Sequence, residues 1–144
     1  MNAFNPKRSF RSKQNRAVGE FSQDMVRHHL ERMGFKMVER VHTPWTVIRK
    51  MGRVVGAFPK EKVSGDFIGI HPIGGRKMLC EVKSRQDGVF PWSCLEDHQR
   101  RALDENHVCG GISLLALVQD SEIDVREWPV AGFEKGKSLR IEQK

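Results

Sequence analysis

The sequence holds only three cysteines, Cys80, Cys94 and Cys109, and no Cys-x-x-Cys pair. A zinc ribbon and a disulfide-stapled scaffold are therefore not expected. Scattered in apolar company, the three read as reduced, buried residues of a cytoplasmic protein. No apolar run approaches the roughly 20 residues that a membrane-spanning helix needs. The first sixteen residues lack the apolar stretch of a secretory signal, so none is expected. The six histidines (28, 29, 42, 71, 98 and 107) show neither His-x-x-x-His nor His-Glu-x-x-His spacing. His28 and His29 are adjacent and would point about 100° apart on a helix, a poor pair of metal ligands. There is no internal repeat and no low-complexity tract. Acid is the scarcer charge, 18 Asp and Glu against 25 Lys and Arg, a net +7. That excess favours a polyanionic partner, with nucleic acid first and an anionic membrane surface second.

What is present suits one domain, since 144 residues with 38 % hydrophobic content can bury a single core. Residues 1–16 carry Lys7, Arg8, Arg11, Lys13 and Arg16 and no acid, which reads as a flexible basic arm ahead of a domain spanning 17–144. Val18, Phe21, Met25, His29, Leu30 and Met33 form one stripe at helical spacing, predicting a helix over 17–33 closed by Gly34 as a left-handed cap. Phe35-Lys36-Met37-Val38 starts a short strand. The β-rich runs Thr46–Ile48 and Val54–Phe58 flank a Met51-Gly52 turn and predict a projecting basic hairpin over about 43–62, with Arg49, Lys50 and Arg53 near its tip. Asp66–Ile70 and Lys77–Ser84 read as two strands joined by Gly74-Gly75, the second buried on both faces. A helix follows at about 94–106, with Ser93 and Glu96 as its capping box. Gly110-Gly111 leads into the buried strand Ile112–Val118. Residues 120–144 read as polar and mixed, with one apolar patch at Trp128–Val130. The order indicates an α/β or α+β sandwich around a mixed sheet.

The unusual feature is Glu81-Val82-Lys83 inside an apolar strand. Residues two apart share a face, so Glu81 and Lys83 project together. Burying both is costly unless they pair or meet a metal. A hairpin would bring Asp66 beside them, so that three charges converge at a sheet edge. Two carboxylates suit Mg²⁺, a hard cation that takes oxygen ligands. The lysine suits charge stabilisation at a phosphoryl centre. An ion pair that ties two strands together is the plainer alternative. Trp45 and Trp92, each in a Pro-Trp pair, suit either stacking on unpaired bases or packing, and packing is favoured. Arg85, just past Lys83, and Arg100 and Arg101 on the second helix suit phosphate contacts. Cys80 and Val82 point away from the site into the core.

Gly65-Asp66, fourteen residues, then Glu81-Val82-Lys83 resembles the PD-(D/E)XK nuclease signature. The likeness extends from Gly19 to Val118 and is closest to the RecU-like Holliday junction resolvases of bacteria and phages, more distantly to the archaeal Hjc-type enzymes. It includes Gly19-Glu20-Phe21 early in the first helix, Thr43-Pro44 opening the hairpin, Phe90-Pro91-Trp92 after the EVK strand, His98-Gln99 on the second helix and Gly110-Gly111-Ile112. The resemblance implies a restriction-endonuclease-like mixed β-sheet flanked by helices, with the hairpin as a stalk entering a four-way junction. It implies Asp66 and Glu81 as ligands of Mg²⁺, with Mn²⁺ able to substitute. It implies Lys83 as the catalytic lysine, Glu20 as the helix carboxylate and Gln99 as a supporting residue. The implied enzyme is a homodimer that nicks opposing strands of a Holliday junction in recombination and repair, in the cytoplasm of a bacterium or a phage-infected host. Two rival readings stay open: the same nuclease on other branched, damaged or linear duplex DNA, and a non-cutting DNA-binding module. Two departures from the pattern stand out. Ser64-Gly65 precedes Asp66 in place of the threonine or proline pairs common in that family, and the hairpin is short. On a helical wheel Glu20 falls about 180° from the apolar stripe, with Asp24 one turn on as the substitute.

Overall fold

The computed structural model describes residues 21–42, 45–59 and 65–142. The basic arm with Lys7, Arg8, Arg11, Lys13 and Arg16, and also Glu20 and the Thr43-Pro44 start of the hairpin, lie outside them. The described chain runs α1 (21–32), β1 (Lys36–Arg40), β2 (Trp45–Lys50), β3 (Arg53–Pro59), β4 (Phe67–Ile70), β5 (Lys77–Ser84), β6 (Val89–Pro91), a 3₁₀ turn (Trp92–Cys94), α2 (Asp97–Val108), β7 (Ile112–Gln119), β8 (Glu122–Glu127) and β9 (Ser138–Arg140). The fold is mixed α/β. Five strands form a mixed sheet in the order β1-β4-β5-β7-β8, and helices flank it. β5 and β7 are parallel, joined through α2, and the other neighbours are antiparallel. Among the described residues no helix is long and apolar enough to cross a membrane.

β5 and β7 read as unbroken apolar runs because both faces of the sheet are covered. Met78 and Cys80 join Leu114, Ala116 and Val118 in one core with Val26 and Leu30 of α1. Leu79 joins Leu115 and Leu117 in the other, with Leu103 of α2 and with Phe90, Trp128, Phe133 and Leu139. Alternation along each strand divides the side chains between the two. Glu81 and Lys83 therefore share the α2 face, while Cys80 and Val82 belong to the α1 face, as expected from the sequence.

Several expectations need correction. The buried stripe of α1 is Ser22–Val26–Leu30, not the one drawn through Phe21 and Met33, which are 60 % and 46 % exposed. Ser22 is buried while the larger Phe21 and Met33 stay outside. The cap at Gly34 is as expected: its φ is +101°, its N–H donates to Glu31 O, and Phe35 N–H reaches Leu30 O. The second helix starts at Asp97, with a capping box made by Glu96 and Gln99 in place of Ser93 and Glu96. Ser93 belongs to the 3₁₀ turn before it. Residues 120–144 are not merely polar. They contribute β8, β9 and three buried residues, Trp128, Phe133 and Leu139. Of the cysteines only Cys80 is buried; Cys94 is half-buried and Cys109 exposed.

Residues 45–59 form a two-stranded sheet of their own, closed by Met51 and Gly52, both at positive φ. Arg49, Lys50 and Arg53 are exposed around that turn, with Met51 fully exposed and Val54 and Val55 more than half exposed. The hairpin is inserted between β1 and β4, so the chain leaves and re-enters the sheet at the end where Asp66 sits.

Candidate functional site

The site lies at a fork in the sheet, not at its edge: β5 is the central strand. β4 pairs with β5 only as far as Phe67 opposite Cys80. Asp66 closes that ladder, its N–H donating to Cys80 O at 2.8 Å while Val41 N–H donates to Asp66 O at 2.9 Å. From Glu81 to Ser84, β5 keeps β7 on one side and, among the described residues, has no strand partner on the other. The backbone N–H of Val82 would be orphaned there, and the Asp66 carboxylate accepts it at 2.7 Å. The side chain of Asp66 thus extends the ladder by one bond and is fixed beside Glu81.

Glu81 is only 4 % exposed. Its Oε2 accepts the N–H of Gly65 at 3.1 Å. Its Oε1 accepts from Gln99 Nε2 at 2.7 Å and lies 3.6 Å from Lys83 Nζ. Burial first, and then the Asp66 carboxyl beside it by charge and by hydrogen bonding, push its carboxyl up to about 7. Lys83 and the Gly65 N–H pull the other way without cancelling the rise. Two carboxyls pressed together with one lysine leave negative charge under-compensated. A divalent cation with oxygen preference fits that donor set.

Gln99 is held from both sides. Its Oε1 accepts the N–H of Glu96 at 2.9 Å, so the face turned to Glu81 must be the donating amide. The Glu96 side chain in turn accepts the Gln99 backbone N–H. The start of α2 is in this way locked onto the carboxylate. Gln99→Ala is expected to destabilise the chain by about 1–3 kcal/mol in urea unfolding, because it removes the donor to a buried carboxylate and the acceptor of the helix-cap N–H together.

Of the sequence-predicted residues, Asp66, Glu81, Lys83 and Gln99 converge. Asp24 is exposed on α1 and makes no described contact with them. Arg85 is exposed and paired with Asp87 at 3.2 Å; that guanidinium holds the Asp87 carboxyl below the usual range. Arg100 is largely buried by its own contacts. It lies 4.8 Å over the Trp92 ring and donates to the carbonyls of Trp92 and Leu95 and to Asp97. Trp92 stacks on Trp128 and meets Phe133 edge-on, so packing describes it. Two participants were missed from sequence. Glu96 could have been found as the first residue of a Glu-x-x-Gln box. Gly65 gives a local signal only in part: its φ of +88° favours glycine, and a Cβ there would sit 2.4 Å from Leu79 Cδ1. No family model matches the chain, and no curated protein matches it.

Proposed function

We propose that the chain is a metal-dependent endonuclease of restriction-endonuclease-like fold that cleaves branched DNA, and resolves four-way junctions as a homodimer. One observation carries the reading: the buried Glu81 carboxyl beside the half-buried Asp66, flanked by Lys83, at a fork where, among the described residues, no strand pairs with β5 beyond Asp66. The basic hairpin, whose second strand ends at Pro59, seven residues before Asp66, favours a junction over plain duplex, because it is inserted at the end of the sheet that carries the site. Net charge +7 agrees with a nucleic-acid partner.

Asp66 and Glu81 would hold Mg²⁺ or Mn²⁺, which when bound polarises a phosphoryl oxygen and acidifies water. Gly65 N–H and Gln99 keep Glu81 turned toward Asp66. Lys83, on the same strand face, stabilises charge gathering on the phosphoryl oxygens as the bond to the leaving oxygen breaks. The expected products carry 5′-phosphates, by the family resemblance. Incubation of a synthetic mobile junction with Mg²⁺ is expected to give paired symmetric nicks, and none with chelator. Intact junctions in both Mg²⁺ and Mn²⁺ would sink the proposal. Replacing Arg49–Arg53 by a tight two-residue turn is expected to lower the preference for junction over linear duplex by roughly tenfold in competition binding, each lost phosphate contact costing affinity. An unchanged preference would return the reading to duplex or damaged DNA as substrate.

A further inference from the structure

A groove of about 1050 Å³ runs along the start of α2, walled on one side by the 3₁₀ turn and on the other by residues 135–138. It begins at Glu96, whose N–H fixes the Gln99 amide that touches Glu81. Its acids are engaged: Glu96 with His98 Nδ1 at 3.1 Å, Asp97 with Arg100. Its remaining cations are not. Arg101, Lys135 and Lys137 are exposed and make no ion pair among the described residues. The groove therefore has a surplus of positive charge that no described residue meets.

The wall that carries the lysines is built in. Pro91 pairs with Ser138, Trp92 N–H donates to Lys137 O at 2.9 Å, and Lys137 N–H donates to Glu134 O at 2.9 Å. These bonds fix the backbone that carries the lysines, so that segment need not be ordered on meeting a partner. We propose that this groove seats the phosphodiester backbone of a duplex arm flanking the scissile phosphate, with Lys135, Lys137 and Arg101 as its contacts. The inference rests on the nuclease reading and adds where that arm lies. Backbone contacts of this kind position DNA without reading its sequence.

The test is anisotropy of a fluorescein-labelled linear duplex with the full chain, in chelator so that nothing is cut, across roughly 50–200 mM salt. Lys135→Ala/Lys137→Ala is compared with Lys36→Ala/Lys77→Ala, which removes the same charge where β1, β4 and β5 pair at the end away from Glu81. Each lost phosphate contact flattens the log–log salt slope by about 0.9, so the groove variant should flatten it by about 2 and bind roughly tenfold more weakly. The control should keep the wild-type slope. Equal slopes for the two variants, or displacement of the duplex by polyglutamate at matched charge, would overturn the proposal. Thermal melts of both variants close to wild type confirm that folding is intact. Groove-dependent binding by a protein that never cuts junctions in Mg²⁺ would fail the nuclease reading alone; cutting with an unchanged slope would fail the groove alone.

Discussion

Glu81→Gln is expected to abolish the stability loss that the metal-free protein suffers as pH rises and, on the proposed nuclease reading, to abolish cleavage. In the unfolded chain the Glu81 carboxyl releases its proton near 4.5; in the folded chain burial and Asp66 move that release to about 7. Between those values the folded state holds a proton that the unfolded state has lost, so every increase in pH favours unfolding. The penalty is absent below 4.5 and complete above 7, about 3 kcal/mol over the whole window. Glutamine does not titrate. Its amide also turns one N–H toward either the Gly65 N–H or the Gln99 amide, which lowers stability at every pH by about 1–3 kcal/mol. The two pH profiles should therefore converge, with the variant gaining on wild type by about 3 kcal/mol between pH 4.5 and 8. Urea unfolding at a series of pH values, in chelator, reads this directly. Parallel profiles would mean that Glu81 is ionised throughout, and that the site is an ordinary ion pair with Lys83. Mg²⁺ should stabilise wild type most above pH 7, where Glu81 is ionised, and leave the variant unmoved.

The site was legible because a strand has a strict period of two: Glu81 and Lys83 could only share a face, and a hairpin partner could only bring Asp66 alongside. The two unbroken apolar runs announced β5 and β7 because both faces of the sheet are covered there. What escaped were features decided at long range. The stripe of α1 includes Ser22, a polar residue that no hydrophobic count selects. β8 hides Ile123 and Val125 between charges, and Trp128, Phe133 and Leu139 stand too far apart in sequence to signal the cluster that they make around Phe90. Two capping boxes overlap in Ser93–Glu96–Gln99. Glu96–Gln99 prevails where Gln99 has a second partner in Glu81, across 18 positions of sequence. Local pattern fixed which residues carry charge into the sheet; the placing of α2 determined how Glu81 is held.

A pair of substitutions at Asp66 separates the metal-site reading from the strand-tying one. Asp66 has two structural duties, accepting the Val82 N–H at 2.7 Å and sitting as a charge beside Glu81. Asp66→Asn keeps the first, since an amide carbonyl accepts the same bond, and removes the second. Stability in chelator at pH 8 should then hold or rise, because the like charge against Glu81 is gone. Cleavage in Mg²⁺ should fall by about three orders of magnitude or more, the several kcal/mol that a cation contributes to a phosphoryl transition state. Asp66→Ala removes both duties. It leaves a part-buried backbone N–H without an acceptor and should be less stable than Asp66→Asn by about 1–3 kcal/mol, with the same loss of cleavage. If the carboxylates serve only to tie strands, activity should follow stability: the asparagine variant would cut like wild type and the alanine variant would be impaired in proportion to its unfolding. If they hold a cation, the two variants part in stability and coincide in inactivity, and neither shows the Mg²⁺-dependent rise in melting temperature that wild type should.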